Sequence, residues 1–155
     1  MEKRTIHLRR ARDKDADFLA AGNIALARET ENKALPQSTV LEGVKTVLRH
    51  PNHGFYVIAE IDHQPMGQLL VTYEWSDWRN GLFWWLQSVY ILPQWRGQGL
   101  FRQLQDYVIQ AAKDDPKVCG LRLYVERDNR RAKSIYTHLG WQTTSYELLE
   151  MDWSP

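Results

Sequence analysis

Cysteine is nearly absent: Cys119 is the one cysteine in 155 residues. That excludes an internal disulfide and any cysteine metal cluster. Cys119 lies in an apolar run, which predicts a buried, inert thiol. The five histidines (His7, His50, His53, His63, His138) show no metal-ligand spacing, so no metal is expected. An excess of one charge is also lacking. The 20 Lys and Arg stand against 19 Asp and Glu, for a net charge of +1. Nothing global therefore drives the chain toward nucleic acid or a membrane surface. No apolar run reaches the ~20 residues of a bilayer span. Met1-Glu2-Lys3-Arg4 leads into a charged strand, not a signal peptide, so a cytoplasmic protein is expected. Repeats, linkers and low-complexity segments are missing as well.

What is present fits one soluble domain, residues 1–155, with 43% hydrophobic and 25% charged residues. The seven tryptophans, among them Trp75, Trp78, Trp84 and Trp85, are expected mainly in the core. A few near residues 74–85 could line an apolar substrate pocket. Thr5 to Arg9 alternates as a strand. Asp13 or Asp15 can cap a helix with Phe18, Leu19, Ile24 and Leu26 on its apolar side, ending near Glu29-Thr30-Glu31. After Pro36, Thr39 and Glu42 stand in capping-box relation ahead of a helix that Pro51 ends. Phe55–Ile61 and Met66–Trp75 read as strands joined by an Asp62–Pro65 turn. Leu82–Leu92 has too few polar residues to face water on either side and should be central. Leu100, Leu104, Val108 and Ala111 then mark a helical face. Val118–Val125 is a further strand, parallel through that helix. A helix from about Asn129 to Leu139 stops at Gly140, and Trp141–Trp153 would supply one or two closing strands. The result is an α/β fold, a mixed central sheet with a parallel strand pair and helices on its faces.

The informative stretch is Val89 to Arg102. An apolar strand runs into Pro93, an Arg96-Gly97-Gln98-Gly99 turn follows, and a helix begins at Leu100. The first N–H groups of a helix lack internal partners, and its dipole is positive there, so such a turn suits an anion. Glycines allow a phosphate close to the backbone, and Arg96 and Arg102 add charge. A third glycine three residues on is lacking, as is a Gly-Lys-Ser/Thr, so neither a dinucleotide fingerprint nor a P-loop fits. Arg127, Arg130, Arg131 and Lys133 form a second basic run.

With this element order, the chain resembles the GNAT N-acetyltransferase superfamily over nearly its whole length. The acetyl-CoA signature of that family corresponds to Arg96, Gly97, Gln98, Gly99 and Phe101. A second signature corresponds to Asn129, Ala132, Tyr136, Gly140 and Trp141. The resemblance implies a splayed strand pair in which Val89, Tyr90 and Ile91 meet pantetheine, with their backbone groups extending the sheet. It implies that N–H groups of Gly97, Gln98, Gly99, Leu100, Phe101 and Arg102 hold the pyrophosphate. Asn129 and Lys133 would face the pantetheine arm or phosphates, and Tyr136 would stand near the thioester sulfur as the catalytic group. Phe101 departs from the usual Gly or Ala, and its side chain must turn into the core.

The implied activity is acetyl transfer from acetyl-CoA to a primary amine by direct attack in a ternary complex. An oxyanion donor is expected in a backbone N–H near Val89. Tyr136 would protonate or hydrogen-bond the thiolate; tyrosine at pKa ~10 against a thiol at ~8.5 makes full transfer uphill by roughly 2 kcal/mol. Two positions where relatives carry a base glutamate hold Trp85 and Tyr124 instead. Glu29, Glu31, Glu74 and Glu126 remain as carboxylates. Glu29, Glu31, Glu74, Trp75, Trp85 and Tyr124 form the expected acceptor side, suited to a small cationic amine or peptide amine. The alternatives are transfer of a different acyl group, or an acyl-CoA-binding regulatory or interaction module without turnover. A homodimer, through the C-terminal strands or the aromatic surface, follows by family analogy.

Overall fold

Runs of β-branched and aromatic residues pair into one five-stranded sheet in the computed structural model, which describes residues 4–155. The strands are β1 (Ile6–Arg10), β2 (Gly54–Ile61), β3 (Gln64–Ser76), β4 (Gly81–Ile91) and β5 (Val118–Leu123). They lie in the order β1-β2-β3-β4-β5. All neighbours are antiparallel except β4 and β5, which run parallel. The helices are α1 (Ala16–Glu31), α2 (Gln37–Arg49), α3 (Leu100–Asp114) and α4 (Arg130–His138). The expected fold class is observed. The chain divides into two units, residues 1–123 with the sheet and α1–α3, and residues 124–155 with α4.

The sheet of the first unit is covered on both faces because its strands alternate side chains between them. Tyr56, Ile58 and Leu70 meet Ala16, Leu19 and Ala20 of α1 and Val44 of α2 on one face. The neighbouring positions Val57, Ala59, Leu69 and Val71 are buried on the other face, where α3 lies against all five strands. Leu100, Leu104, Val108 and Ala112 are its buried apolar residues, with Ala112 taking the place expected for Ala111. Each fully buried Leu or Val contributes about 1.5–3 kcal/mol. Asp62 and His63 both take positive φ, 51° and 62°, in a two-residue hairpin turn, so Pro65 falls inside β3.

Several expectations are corrected. Asp15 caps the short helical turn Asp13–Asp15 ahead of α1, not α1 itself. Its carboxylate accepts two bonds from the Arg9 guanidinium, each 2.8 Å, and the Arg12 N–H at 2.7 Å. No side chain caps α1. The α2 helix starts at Gln37 behind Pro36, so Thr39 is already inside it and the Thr39–Glu42 box does not form. Cys119 is exposed, because β5 is the last strand of the sheet and Cys119 stands near its start. β5 ends at Leu123, two residues short of the expected Val125, so Tyr124 lies outside the strand. Residues 141–155 form no strand. A strand needs a ladder partner; bonds within this segment include the local ones from Tyr146 N–H to Thr144 Oγ1 and from Ser154 N–H to Asp152 Oδ1.

Arg9 also donates to Glu60 Oε2 at 3.0 Å, so one guanidinium serves two buried carboxylates. Burial opposes ionisation of Asp15, but the Arg9 and Arg12 hydrogen bonds win and hold its pKa below the ordinary value. A depressed carboxylate contributes stability above its unfolded pKa of ~3.9 and loses it as pH falls toward the folded value. We expect Arg9→Met to cost about 3–5 kcal/mol in urea unfolding at pH 7, because two buried carboxylates lose their partner. The penalty should shrink below pH ~4.

Candidate active site

Strand β4 carries the geometry on which the site rests. Its parallel pairing with β5 ends at Leu86↔Leu123, yet the strand continues to Ile91. Beyond Leu86 the β4 backbone keeps β3 as its ladder neighbour within this unit. The β3–β4 register also slips there. Gln68 faces Tyr90, whereas Leu70 faces Gln87, so Ser88 and Val89 stand opposite Leu69 alone. This is a β-bulge. Ser88 takes φ 50°, a left-handed conformation uncommon for a residue with a Cβ. The bulge turns the edge of β4 at Val89, where an extended ligand chain could pair with it.

The glycine turn follows. Pro93–Trp95 makes one short helical turn, and Gly97 and Gly99 take φ 73° and 81°. A Cβ at either would meet no protein atom within 4 Å. The glycines are needed for the backbone angle, and the turn lies open to an anion. Gly99 is the N-cap of α3 without a side-chain cap, and the helix ladder starts with Gln103 N–H to Gly99 O at 3.1 Å. The first-turn N–H groups precede that bond and lack partners inside the helix. Leu100 is the residue that enters the core; Phe101, expected to do so, is half-buried.

Arg96 does not stand over the turn as a loose cation. Its Nε donates to Ile91 O at 2.9 Å, and its Nη2 donates to Glu29 Oε2 at 2.8 Å. Tyr90 OH donates to Glu29 Oε1 at 3.3 Å. Burial raises the Tyr90 pKa, and the Glu29 carboxylate adds to it. These contacts tie α1 to the end of β4, and one of the Ile91 carbonyl's acceptor positions is taken. Arg102 lies 3.9 Å from Asp106 on the exposed side of α3.

Of the residues expected on the acceptor side, Glu74 and Trp85 come together with Arg122 across three strands. Trp85 Nε1 and Arg122 Nη1 both donate to Glu74 Oε1 at 2.9 Å. The Arg122 guanidinium stacks 3.7 Å from the Phe83 ring centroid. Glu74 is therefore balanced by a guanidinium, as is Glu29. Glu31 and Trp75 are exposed and are not drawn into this group. Trp84 is core, with Phe55 and Tyr73 centroids at 5.2 and 6.1 Å.

In the second unit, Asn129 Oδ1 accepts the Ala132 N–H at 3.0 Å and caps α4. Lys133 is exposed on that helix. Tyr136 is half-buried, packs edge-on to Trp141 at 6.2 Å, and has its pKa raised by burial. Gly140 takes φ 97° and ends the helix as expected. Tyr124 is exposed.

Sequence reasoning did not single out Arg122, Gln68, Ser88 or the Glu29–Arg96 pair. Alternation along β5 could have put Arg122 on the face of Glu74 once the strand order was known. Nothing local marks Ser88 as a bulge.

The first unit thus combines a mixed sheet with one parallel pair, a bulge in β4 beyond the end of that pair, and a glycine turn that opens a helix. Residues 20–141 match the model of the acetyltransferase (GNAT) family. The chain belongs to that family, whose members use acetyl-CoA. It is similar, with 39% identity and a TM-score of 0.90, to the crystal structure of a possible acetyltransferase from Clostridium difficile 630, covering 95% of this chain and 97% of that one. An acetyltransferase from Clostridium acetobutylicum, solved with acetyl-CoA, shares the fold at 20% identity and a TM-score of 0.75, covering 96% of each chain. Over 85 residues the chain is 35% identical to the thialysine N-epsilon-acetyltransferase of Bos taurus. That match takes in 51% of this chain and about half (48%) of that curated relative's length.

A left-handed backbone with no crowding separates conformational from steric demands on glycine. Gly99→Ala should lower stability by about 1–2 kcal/mol in thermal melts without ligand, from φ alone. Gly43→Ala, inside α2 with nothing within 4 Å of the new Cβ, should raise it by up to ~1 kcal/mol.

Proposed function

We propose that the chain is an acetyl-CoA-dependent N-acetyltransferase of the cytoplasm, a single catalytic domain transferring acetyl to a primary amine by direct attack in a ternary complex. What supports this most is the conjunction of the β4 bulge at Ser88–Val89 with the positive-φ glycine turn that opens α3. The exposed thiol Cys119 suits a reducing compartment.

The bound acetyl-CoA supplies an electrophilic thioester carbonyl and a thiolate leaving group. The N–H groups from Gly97 to Arg102 hold the pyrophosphate, and the Val89, Tyr90 and Ile91 segment pairs with pantetheine, with Asn129 and Lys133 on the arm or phosphates. The amine nitrogen forms its bond to the carbonyl carbon, the Val89 N–H stabilises the oxyanion, and the C–S bond breaks. Tyr136 donates a hydrogen bond to the departing sulfur. Burial raises the Tyr136 pKa, which makes full proton transfer to the thiolate harder and favours the hydrogen bond.

No dedicated base is assigned. Trp85 and Tyr124 stand at the two expected positions, and Glu29 and Glu74 each already pair with a guanidinium. The acceptor's proton passes to water or bulk buffer, and the enzyme draws on the neutral amine. The acceptor is a small cationic or peptide amine, held on the Glu74, Trp85 and Trp75 side with Glu29, Glu31 and Tyr124 as further contacts. The bovine relative's name favours a small amine. The missing base positions favour the second reading, an acyl-CoA-binding module without turnover.

Thiol release from acetyl-CoA across an amine panel decides between them. We expect turnover, with kcat/KM rising about tenfold per pH unit from 7 to 9, since a lysine-like amine has pKa ~10.4. No falling limb from Tyr136 should appear below pH 10, because its raised pKa keeps the proton on. Tyr136→Phe should lower kcat roughly 10- to 100-fold with acetyl-CoA KM unchanged. CoA binding without turnover on any amine would favour the module, and no CoA binding would sink both.

We also propose a homodimer through residues 141–155, where Tyr146, Leu148, Leu149, Met151 and Trp153 are exposed. Light scattering should give twice the 18.3 kDa chain mass, and truncation after Gly140 should return the monomer. A monomer for the full chain would contradict this.

A further inference from the structure

One buried polar side chain plays no part in the mechanism above. Gln68 is 0% exposed, in the middle of β3. Its Nε2 donates to Asn23 Oδ1 on α1 at 2.8 Å and, at a longer 3.4 Å, to the carbonyl of Ser88. Asn23 Nδ2 donates in turn to Tyr56 OH at 3.1 Å. This chain of bonds fixes the amide orientation. Turning the Gln68 amide over would set its oxygen against two other acceptors, Asn23 Oδ1 and Ser88 O. Gln68 Oε1, by contrast, is buried with no hydrogen-bond partner among the described residues. An orphan acceptor in a core is costly, and an apolar residue of the same shape would avoid that cost. Room has also been made for it. A Cβ at Gly22 would lie 2.2 Å from Gln68 Oε1.

The carbonyl that Gln68 touches belongs to the peptide unit whose N–H is that of Val89. The unit is planar and trans, so its carbonyl and N–H point in opposite directions. Holding Ser88 O toward the Gln68 amide, which lies against Asn23 and Gly22 on the α1 face of the sheet, turns the Val89 N–H away from that face. Ser88, with φ 50°, sits in the least favourable backbone conformation of the strand and needs such an anchor.

We propose that Gln68 is a positioning residue: through Ser88 O it aims the Val89 N–H at the thioester oxygen, and Asn23 and Tyr56 hold it in place. This rests on the acetyl-transfer reading above. Gln68→Met keeps the volume and removes the donor. We expect kcat to fall roughly 10- to 100-fold, as misplaced active-site groups do, while acetyl-CoA Kd stays within about twofold and the thermal midpoint is unchanged or higher. The Val89 amide resonance should shift in the same variant. Gly22→Ala leaves Gln68 intact but pushes a methyl into its oxygen, and should reproduce the loss of kcat.

A filler role predicts the opposite split, with the melting point changed and kcat and the Val89 resonance kept. Gln68→Met with wild-type kcat, or a loss of kcat matched by an equal loss of CoA affinity, would overturn the assignment. A wild-type protein that acetylates no amine would overturn the acetyl-transfer reading and this role together. An active wild type indifferent to Gln68→Met would overturn the role alone.

Discussion

Strand β4 must satisfy two neighbours over its first part and one over its last. Up to Leu86 it is locked between β3 and β5. Beyond Leu86 the ladder to β5 has ended, and the slip at Ser88–Val89 removes a regular pair with β3 as well. A strand so nearly apolar would not leave backbone groups unpaired inside a fold without compensation, because each orphaned buried amide is costly. Here they are brought to an edge. The rest of the first unit keeps that edge rigid. Helix α3 packs under it through Leu104 and Val108, and α1 is tied to its end through Glu29, Arg96 and Tyr90.

The charges of this unit follow one pattern. Arg9 serves Asp15 and Glu60, Arg96 serves Glu29, and Arg122 serves Glu74. The first of these is buried, and its contribution depends on both carboxylates keeping their partner. The exposed Glu29–Arg96 pair contributes no more than about 1 kcal/mol, so its value lies in direction. It fixes the Arg96 head between Glu29 and the Ile91 carbonyl. Glu74 with Arg122 presents both signs of charge beside Trp85 and Phe83, so this cluster is less acidic than its carboxylate alone suggests.

Much of this was legible from residue pattern. The apolar run of β4, the glycines at 97 and 99 and the Leu100–Val108 stripe each reflect a local demand, burial on both sides, left-handed φ, or one helical face. Gly140 and Asn129 likewise mark the ends of α4 by their own chemistry. What escaped depends on partners far away in sequence. Asp15 looked like the cap of α1, but it caps the short turn before that helix and pairs with Arg9. Cys119 looked buried, but edge position overrides its apolar neighbourhood. Residues 141–155 alternate plausibly for a strand, yet pattern alone does not provide a ladder partner. The Glu74–Trp85–Arg122 pairings and the Gln68 network likewise follow only once the strand register is known.

On the proposed function, the end of β4 beyond Leu86 and the glycine turn together bind CoA through backbone groups. Titrating 15N-labelled protein with CoA tests it most directly. The account predicts saturable shifts of the Val89, Ile91 and Gly97–Arg102 amide resonances with one common dissociation constant. Saturable binding that leaves those amides unmoved would contradict it.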